Sequence, residues 1–330
     1  MSVIKRDFLK LVGAAALASS LALGAASASA ADLDRIGVDW AYYNPVSLLI
    51  KQKGWVEEEF AKDGIEVQWV QSHGSNKALE FLNSGSIDFG STAGAAAVVG
   101  KANGVPIKAI YVYSKPEWTA LVTRPDTGIT KIEDLKGRTV AVTRGTDPYI
   151  FLLRALASVG LSEQDIEAVL LQHPDGGNAL IAEQVDAWAG LDPYMAKGEL
   201  ENGTILFFRN ADWNTYGTLN VREEFAAQHP DIVKRLLDVY EKGRLYSLAH
   251  PDELQTILVE AAKIDPAVAA KQLNERTDLT NPKIDDAVRD TLIEASRILQ
   301  DVGILKADVD VVAVVDSLLD RQFSSQLAQK

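Results

Sequence analysis

The chain has 330 residues, and 33 Lys and Arg residues against 46 Asp and Glu residues give it a formal net charge of −13. Such an acidic chain is poorly suited to nucleic acids or anionic membrane surfaces, where basic side chains must neutralise phosphates. A hydrophobic content of 47% argues against a disordered chain, and the lack of cysteine excludes disulfides, thiolate nucleophiles, cysteine-ligated zinc and iron–sulfur clusters.

The first residues carry the pattern of an export signal. Lys5, Arg6 and Lys10 give a positive start, an apolar alanine-rich run follows, and a small-x-small cleavage pattern ends at Ala30. We therefore predict a signal peptide over residues 1–30, export by the Sec or the twin-arginine route, and a mature protein that is free in a bacterial periplasm. A retained N-terminal anchor is the alternative, although the apolar run is shorter than the roughly 20 residues of a membrane span.

From residue 35 onward, short β-branched runs alternate with helical runs. The predicted strands are 36–39, 65–71, 87–90, 107–113, 120–123, 139–143, 168–171, 186–189, 205–208 and 218–221. Helices separate most of them, which predicts an α/β fold with mostly parallel sheets. Asn44-Pro45 and Asp147-Pro148 are typical helix starts, and Thr130 with Glu133 has the spacing of a capping box.

After about residue 223 the strands stop and five amphipathic helices follow. They are predicted at 231–249, 252–263, 266–275, 285–302 and 309–327. We expect this helical tail to wrap one α/β lobe rather than to form a separate domain.

The two α/β stretches are built alike, since each opens with a strand, an Asx-Pro turn and a helix. We therefore predict two lobes, with residues 31–121 and 222–330 in lobe one and residues 122–221 in lobe two. A cleft between such lobes, at the carboxyl ends of parallel strands, is where ligands commonly lie.

The sequence offers few patterns for catalysis or metal binding. No histidine lies four residues from another, and His229 and His250 each precede a proline at a predicted helix boundary. His73 and His173 lie in predicted loops and are the two that could line a cleft. We therefore predict no catalytic residue, no metal site and no cofactor.

The sequence has more residues suited to binding a small ligand than to catalysis. Small polar residues follow two predicted strands, at Ser91-Thr92 and between Thr143 and Thr146. Helix amino ends hold small anions through free backbone N–H groups and a partial positive charge, even in an acidic protein. Aromatic residues that could cover the carbon part of a ligand stand at similar positions: Trp40, Tyr42, Tyr43, Trp188 and Tyr216. Ordinary core packing is the alternative for these rings, above all for Trp188.

Four segments together carry a family resemblance. They are GSIDFGST (85–92), LKGRTVAV (135–142), residues 145–156 and VDAWAGLDPY (185–194). In this order they resemble the periplasmic binding proteins for aliphatic sulfonates, taurine and nitrate, which serve ABC importers. The likeness extends over essentially the whole mature chain. It implies a two-lobed fold of the type II periplasmic binding proteins, which closes on its ligand.

The resemblance also implies sulfonate-binding positions in three turns. Carried over to this sequence they are Tyr42, Tyr43, Asn44, Ser91, Thr92, Gly145, Thr146 and Asp147. Asp147 departs from the Ser or Thr often found there, and its carboxylate would repel a sulfonate unless it turned away to cap its helix. It could instead hold the ammonium of a zwitterion such as taurine. Leu191 replaces an aromatic residue that often precedes Asp-Pro-Tyr.

The sequence and the resemblance predict a soluble periplasmic receptor that delivers a small organic sulfonate, an alkanesulfonate or taurine, to an ABC permease in the inner membrane for sulfur uptake. We expect a monomer that makes and breaks no bond. The alternatives are a receptor for nitrate, bicarbonate or a pyrimidine or thiamine precursor, and an exported enzyme on the same fold. The predicted ligand-binding residues are Trp40, Tyr42, Tyr43, Asn44, Ser91, Thr92, Thr143, Gly145, Thr146, Asp147, Trp188 and Tyr216.

Overall fold

The computed structural model of the chain describes residues 33–324, and the predicted signal peptide lies outside them. The strands are β1 (Arg35–Trp40), β2 (Glu66–Gln71), β3 (Phe89–Ala93), β4 (Ile107–Pro116), β5 (Leu121–Thr123), β6 (Thr139–Val142), β7 (Glu167–Leu170), β8 (Ala187–Ala189), β9 (Ile205–Phe208), β10 (Gly217–Arg222) and β11 (Thr277–Asp278).

The helices alternate with the strands up to β10 and dominate the chain after it. They are α1 (Pro45–Gln52), α2 (Trp55–Ala61), α3 (Ser75–Ser84), α4 (Gly94–Ala102), α5 (Asp147–Ser158), α6 (His173–Ile181), α7 (Tyr194–Asn202), α8 (Glu223–Gln228), α9 (Pro230–Ala249), α10 (Pro251–Ala262), α11 (Pro266–Ala270), α12 (Asp286–Asp301), α13 (Val311–Leu318) and α14 (Arg321–Ser324). A π-helical turn, Lys271–Glu275, continues α11. Over residues 33–324, none of these helices combines the length and the apolar character needed to cross a bilayer.

The strands form two mixed sheets. The first has the order β11-β4-β10-β3-β1-β2, and the second has the order β7-β6-β8-β5-β9. β1 pairs in parallel with β2 and β3, and β6 pairs in parallel with β7 and β8. β10 and β5 run antiparallel to both of their neighbours. The sheets are therefore less parallel than the sequence predicts, because the strands next to the crossings between the sheets run in the opposite direction.

The position of β10 also bears on where the chain passes from one sheet to the other. β4 ends the first passage through the first sheet at Pro116, and β5 opens the second sheet at Leu121. The chain leaves the second sheet after β9 and pairs again with β3 and β4 from Gly217 onward. The return to the first sheet thus comes before residue 217.

Long-range pairing moves one predicted strand. The sequence predicts a strand over residues 87–90 followed by a turn at Ser91-Thr92, whereas β3 covers Phe89–Ala93. The reason is β10, whose residues 217–221 pair residue by residue with residues 93–89. Ser91 and Thr92 therefore lie inside a fully buried strand and not in a turn.

The helix starts follow the sequence closely at two sites and depart from it at a third. Asn44 caps α1, since its side chain accepts a hydrogen bond from the Ser47 amide. Asp147-Pro148 opens α5 as predicted, with Thr146 in the cap position. Near residue 130 the carboxylate that accepts from the Thr130 amide and hydroxyl belongs to Asp134 and not to Glu133, because a short 3-10 turn replaces the α-helix.

The C-terminal helices cover both faces of the first sheet. On β4, Tyr111 and Tyr113 belong to a core shared with α1, α9, α10 and α11, whereas Val112 belongs to a core shared with α4, α12 and α13. Successive side chains of a strand point to opposite faces, so this alternation places the two groups of helices on opposite sides of the sheet. Among the described residues, the two-residue strand β11 departs from the predicted all-helical tail, and the helix predicted over residues 309–327 is divided into α13 and α14.

Candidate ligand-binding site

A small cleft lies where the turns that follow strands of both sheets meet. The first sheet contributes Tyr43, Gly74, Ser75 and Ala93, and the second contributes Thr146, Asp147, Pro148, His173 and Leu191. Trp118, from the segment that joins β4 to β5, completes the lining. The empty space between these residues is about 200 Å³, which includes open solvent, and only about 10 Å³ of it, the room of roughly one water molecule, is accessible to a molecule of that size.

Helix amino ends face this cleft from both sheets. α3 begins at Ser75 and α5 begins at Asp147, directly after the cap residue Thr146. The first four amides of a helix have no partner within it, and they carry a partial positive charge. Among the described residues, no hydrogen-bond acceptor is recorded for the backbone amides of Ser75 and Thr146. The two helix ends therefore offer N–H groups to an anion from opposite sides.

The amino end of α4 is already occupied. The Ala93 amide donates to Ser75 Oγ at 2.9 Å, the Gly94 amide donates to the Tyr216 carbonyl at 2.7 Å, and the Ala95 amide donates to Thr215 Oγ1 at 3.2 Å. This helix end fixes the wall of the cleft and leaves the ends of α3 and α5 as the available donors.

Asp147 lies in the wall with both carboxylate oxygens occupied. Its Oδ1 accepts from Thr215 Oγ1 at 2.9 Å, and its Oδ2 accepts from Trp118 Nε1 and from the Thr215 amide, each at 3.0 Å. Burial raises the pKa of Asp147 above its ordinary value, while the hydrogen bonds from Thr215 and Trp118 act in the opposite direction. The carboxylate thus turns away from its own helix end and fixes the Trp118 ring.

Two aromatic rings and a leucine form the apolar part of the lining. The rings of Tyr43 and Trp118 meet edge to face with their centroids 5.9 Å apart. Tyr43 is anchored from behind, because its hydroxyl donates to the Ser91 carbonyl at 3.0 Å. Leu191 is buried and lines the same space. This surface can cover the carbon part of a guest whose charged end faces the helix ends.

Three of the predicted site residues line the cleft, namely Tyr43, Thr146 and Asp147. Asn44 and Ser91 lie behind it in a buried network. Asn44 Nδ2 donates to Ser91 Oγ at 2.7 Å, and Ser91 donates from its hydroxyl and its amide to the Asp39 carboxylate. Their role in the structure is to fix the turn that carries Tyr43.

Thr92 is also buried behind the lining. Its Oγ1 accepts from Asn220 Nδ2 at 2.8 Å, and it lies inside β3. Trp188 packs in the core of the second sheet and is 2% exposed. Neither side chain lines the cleft.

The remaining predicted residues lie around the cleft without lining it; they are Trp40, Tyr42, Thr143, Gly145 and Tyr216. The Tyr42 hydroxyl donates to the Ala261 carbonyl, and its ring meets Trp40 edge to face.

The other three have different surroundings. The Tyr216 ring lies under Lys115 Nζ, and Thr143 contacts His173. Gly145 has a φ of +77°, which favours glycine, and lies against Asn76 of the α3 turn.

Sequence reasoning missed seven lining residues: Gly74, Ser75, Ala93, Trp118, Pro148, His173 and Leu191. The sequence does carry a signal for Gly74 and Ser75. Residues 72–76 (SHGSN) are a small polar stretch after a predicted strand, like the stretches at Ser91-Thr92 and between Thr143 and Thr146. Trp118 stands in a crossing segment and has no such signal. The sequence indicates His173 as one of two histidines that could line a cleft, and Leu191 stands where an aromatic residue is often found, but neither belongs to the predicted site residues.

Gly74 is required by a close approach across the cleft. A Cβ at this position would lie 2.9 Å from Asn76 Oδ1 and 3.2 Å from the His173 ring. Gly74→Ala is therefore expected to force the two turns apart and to weaken ligand binding by about 1–3 kcal/mol, the usual cost of overpacking. Calorimetric titration with an alkanesulfonate measures this, and Gly128→Ala is the control; this position has open space around it but a φ of +74°, so the control is expected to lose some stability and to keep its affinity. Unchanged affinity in Gly74→Ala would show that the two turns need not approach.

His173 is fully buried, and this predicts a pH dependence of stability. Burial, with a smaller contribution from the charge of His73, lowers the pKa of His173 to about 3. In the unfolded chain the same group takes up a proton near its ordinary value of about 6.5. Between these values the unfolded state binds one more proton, so the free energy of unfolding falls by about 1.4 kcal/mol for each unit by which the pH drops.

Urea unfolding at pH 7, 6 and 5 is the measurement, with the His173→Asn variant as reference. The wild type is expected to lose stability more steeply than the variant as the pH falls toward 5. Parallel curves for the two proteins would contradict the prediction.

A buried ion pair joins the C-terminal region to the second sheet. Arg276 follows the π-helical turn, and its Nη1 donates to Asp192 Oδ1 and Oδ2 at 3.1 and 3.2 Å; its Nη2 donates to Glu199. Asp192 follows β8, and burial raises its pKa to about 6 although Arg276 acts in the opposite direction. The side chains of Arg276 and Asp192 are 1% and 0% exposed.

The chain is similar over most of its length to proteins named as binding proteins. Residues 47–254 match the NMT1/THI5-like family. A protein of Bacillus subtilis (strain 168) named an aliphatic sulfonates-binding protein is 26% identical over 323 residues, which cover 97% of this chain and 96% of the relative. The alkanesulfonate-binding protein SsuA from Xanthomonas axonopodis pv. citri, solved bound to MOPS, has a TM-score of 0.77 at 22% identity and covers 85% of this chain and 97% of that one.

An enzyme is also among the relatives. A Schizosaccharomyces pombe protein named 4-amino-5-hydroxymethyl-2-methylpyrimidine phosphate synthase is 26% identical over 229 residues, 64% of this chain and 63% of the relative. The likeness to SsuA confirms the predicted periplasmic binding protein fold. The matched residues 47–254 are more than half of the chain, and the chain therefore belongs to the NMT1/THI5-like family.

Proposed function

We propose that this chain is the substrate-binding component of an ABC importer and that its ligand is a small organic sulfonate, an alkanesulfonate or taurine. The observation that carries the proposal is the pair of helix amino ends, of α3 and α5, whose free amides face one cleft from two different sheets. A sulfonate has three oxygens that can accept such hydrogen bonds, and a helix end favours its negative charge. The names of the B. subtilis relative and of SsuA support the same class of ligand.

The lining favours an organic anion over an inorganic one. Tyr43, Trp118 and Leu191 present apolar surface to the cleft, which nitrate or bicarbonate would leave without a partner. The cleft as it stands has about 10 Å³ of room, roughly that of one water molecule, so a sulfonate with a short carbon chain would enter as the two sheets part. A pyrimidine or thiamine precursor is the alternative within the binding class, since its ring could stack on the same aromatic side chains.

The mechanism follows from the placement of the donors. A guest held by α3 on one side and α5 on the other bridges the two sheets and favours the closed form over the open one. We propose that the two sheets mark two lobes, that the closed form docks on a permease in the inner membrane, and that the protein acts as a monomer in the periplasm. No bond is made or broken in this cycle.

An enzyme on the same fold is the alternative from another class, and the yeast synthase among the relatives motivates it. Asp147, His173 and Tyr43 are the titratable groups of the lining with shifted pKa values, and burial raises the pKa of Tyr43 well above its ordinary value, so Tyr43 stays protonated. The Asp147 oxygens already accept three hydrogen bonds, and His173 stays neutral down to a pH of about 3, so the two are poorly suited to exchange protons with a substrate. Incubation with a bound ligand, followed by mass spectrometry, decides between the classes, since chemical change would favour the enzyme.

A thermal-shift screen tests the proposed ligand class. Taurine, 1-propanesulfonate, a sulfate ester, nitrate and a thiamine precursor are compared, since a ligand at 100 times its Kd stabilises the folded state by about 2.7 kcal/mol. We expect a clear rise of Tm with the sulfonates and none with nitrate. A shift with the pyrimidine alone would assign the protein to a different substrate.

A further inference from the structure

An unpaired acceptor faces the cleft from His173. This residue opens α6 and is fully buried, and its Nε2 has no hydrogen-bond partner among the described residues. A buried polar atom that lacks a partner destabilises the folded state, so such an atom in a binding cleft points to a partner on the guest.

The hydrogen bonds around His173 fix which nitrogen carries the proton. Thr143 Oγ1 lies 2.6 Å from the Leu171 carbonyl and 3.3 Å from His173 Nδ1. A hydroxyl has one proton, and the shorter contact to a pure acceptor takes it. Thr143 can therefore only accept from Nδ1–H, and a neutral imidazole with its proton on Nδ1 has a free lone pair on Nε2.

The position of Nε2 places this lone pair at the junction between the two sheets. The site that a Cβ of Gly74 would fill lies 3.2 Å from His173 Nε2, and Gly74 directly precedes the helix end of α3 at Ser75. A guest held by the α3 amides thus lies next to an acceptor as well as next to donors.

The negative charge of Asp147 in the cleft wall favours a positively charged hydrogen-bond donor on the guest. Asp147 lines the same cleft, and the hydrogen bonds recorded to its carboxylate come from neutral groups of Trp118 and Thr215. A cationic N–H on the guest would suit this carboxylate better than a hydroxyl would.

We propose that His173 is a specificity-determining residue whose Nε2 accepts a hydrogen bond from the guest, and that the guest is a small zwitterion with an anionic head and an ammonium group. This inference rests on the proposed function and narrows it from organic sulfonates to amino sulfonates. The anionic head lies at the amides of α3 and α5, and the ammonium lies between His173 Nε2 and the Asp147 side of the wall.

Calorimetric titration of the mature chain with three sulfonates of similar size is the test. Taurine has an ammonium group where isethionate has a hydroxyl and 1-propanesulfonate has a methyl group. We expect taurine to bind about tenfold or more tightly than 1-propanesulfonate, the worth of one good hydrogen bond to a charged group, with isethionate between them. In His173→Asn, which keeps a polar group near Thr143 and removes Nε2, the preference is expected to shrink to about twofold.

The titrations distinguish a failure of the zwitterion inference from a failure of the proposed sulfonate-binding function. His73→Asn, at a neighbouring exposed histidine, is the control and is expected to keep the preference. Equal affinity of the wild type for taurine and 1-propanesulfonate would overturn the inference and leave the proposed function standing. Failure of all three sulfonates to bind would overturn both.

Nitrogen NMR of the histidine rings tests the tautomer without reference to affinity. In the free protein, we expect His173 Nε2 to resonate at the position of an unprotonated nitrogen. When taurine is added, we expect that resonance to shift. A protonated Nε2 would overturn the inference.

Discussion

Arg276→Met is expected to lower the free energy of unfolding by about 3–5 kcal/mol, the usual cost of removing one partner of a buried ion pair. The substitution keeps an unbranched side chain but leaves the Asp192 carboxylate buried without the guanidinium that contacts both of its oxygens. Glu199 also loses the hydrogen bond that it accepts from the Arg276 guanidinium. Urea unfolding of the wild type and the variant gives the difference.

Arg289→Met is the matched control for this prediction. Arg289 pairs with Asp316, but its side chain is 28% exposed and that of Asp316 is 49% exposed, so the expected loss is at most about 1 kcal/mol. The double variant Arg276→Met with Asp192→Asn is expected to recover part of the loss, because the unpaired charge is then removed. An equal loss in both single variants would contradict the assignment of Arg276 as a buried structural link.

Thr146→Pro is expected to abolish sulfonate binding while Thr146→Ala reduces it little. Proline has no backbone N–H, so it removes the donor at the amino end of α5. Alanine keeps the amide and removes the hydroxyl, which donates to the Thr143 carbonyl and not to the cleft. Calorimetry with taurine, at protein concentrations high enough to detect a loss of about 100-fold in affinity, about 2.7 kcal/mol, separates the two variants.

Asp265→Pro controls for the loss of a backbone N–H at a helix cap. Its φ of −62° suits proline whereas the φ of −128° at Thr146 does not, so urea unfolding of Thr146→Pro accompanies the titration and measures the strain separately. Asp265 is the cap residue of α11, as Thr146 is the cap residue of α5. Asp265 does not line the cleft. We expect the control to lose some stability, because the Asp265 side chain caps Ala267, and to keep its affinity. Retained affinity in Thr146→Pro would place the anion elsewhere.

Local signals in the sequence were sufficient for much of the fold. Asn44-Pro45 has the composition of a helix start, and the structure shows the Asn44 cap that this composition predicts. The alternation of strands and helices gave the fold class, because burial of one face imposes its period on the sequence. Thr146 and Asp147 were selected because they follow a strand and precede a helix, and both line the cleft.

Long-range contacts account for most of what the sequence did not predict. Ser91 and Thr92 have a local pattern typical of a turn, but pairing with β10, more than 120 residues away, places them inside a strand. Trp118 lines the cleft because Asp147 fixes its ring, and no spacing in the sequence links the two residues. The free Nε2 of His173 depends on Thr143 and Leu171, so it could be recognised only in three dimensions.

A crystal structure of the mature chain with a bound alkanesulfonate tests the central claim most directly. We predict sulfonate oxygens within about 3.2 Å, a normal hydrogen-bond distance, of the backbone amides of Thr146 and Ser75, with the carbon chain against Tyr43 and Trp118. A second cleft, lined in part by Lys115 and Arg154, offers an anion two basic side chains instead. A sulfonate bound there, with the amides of α3 and α5 unoccupied, would contradict the account.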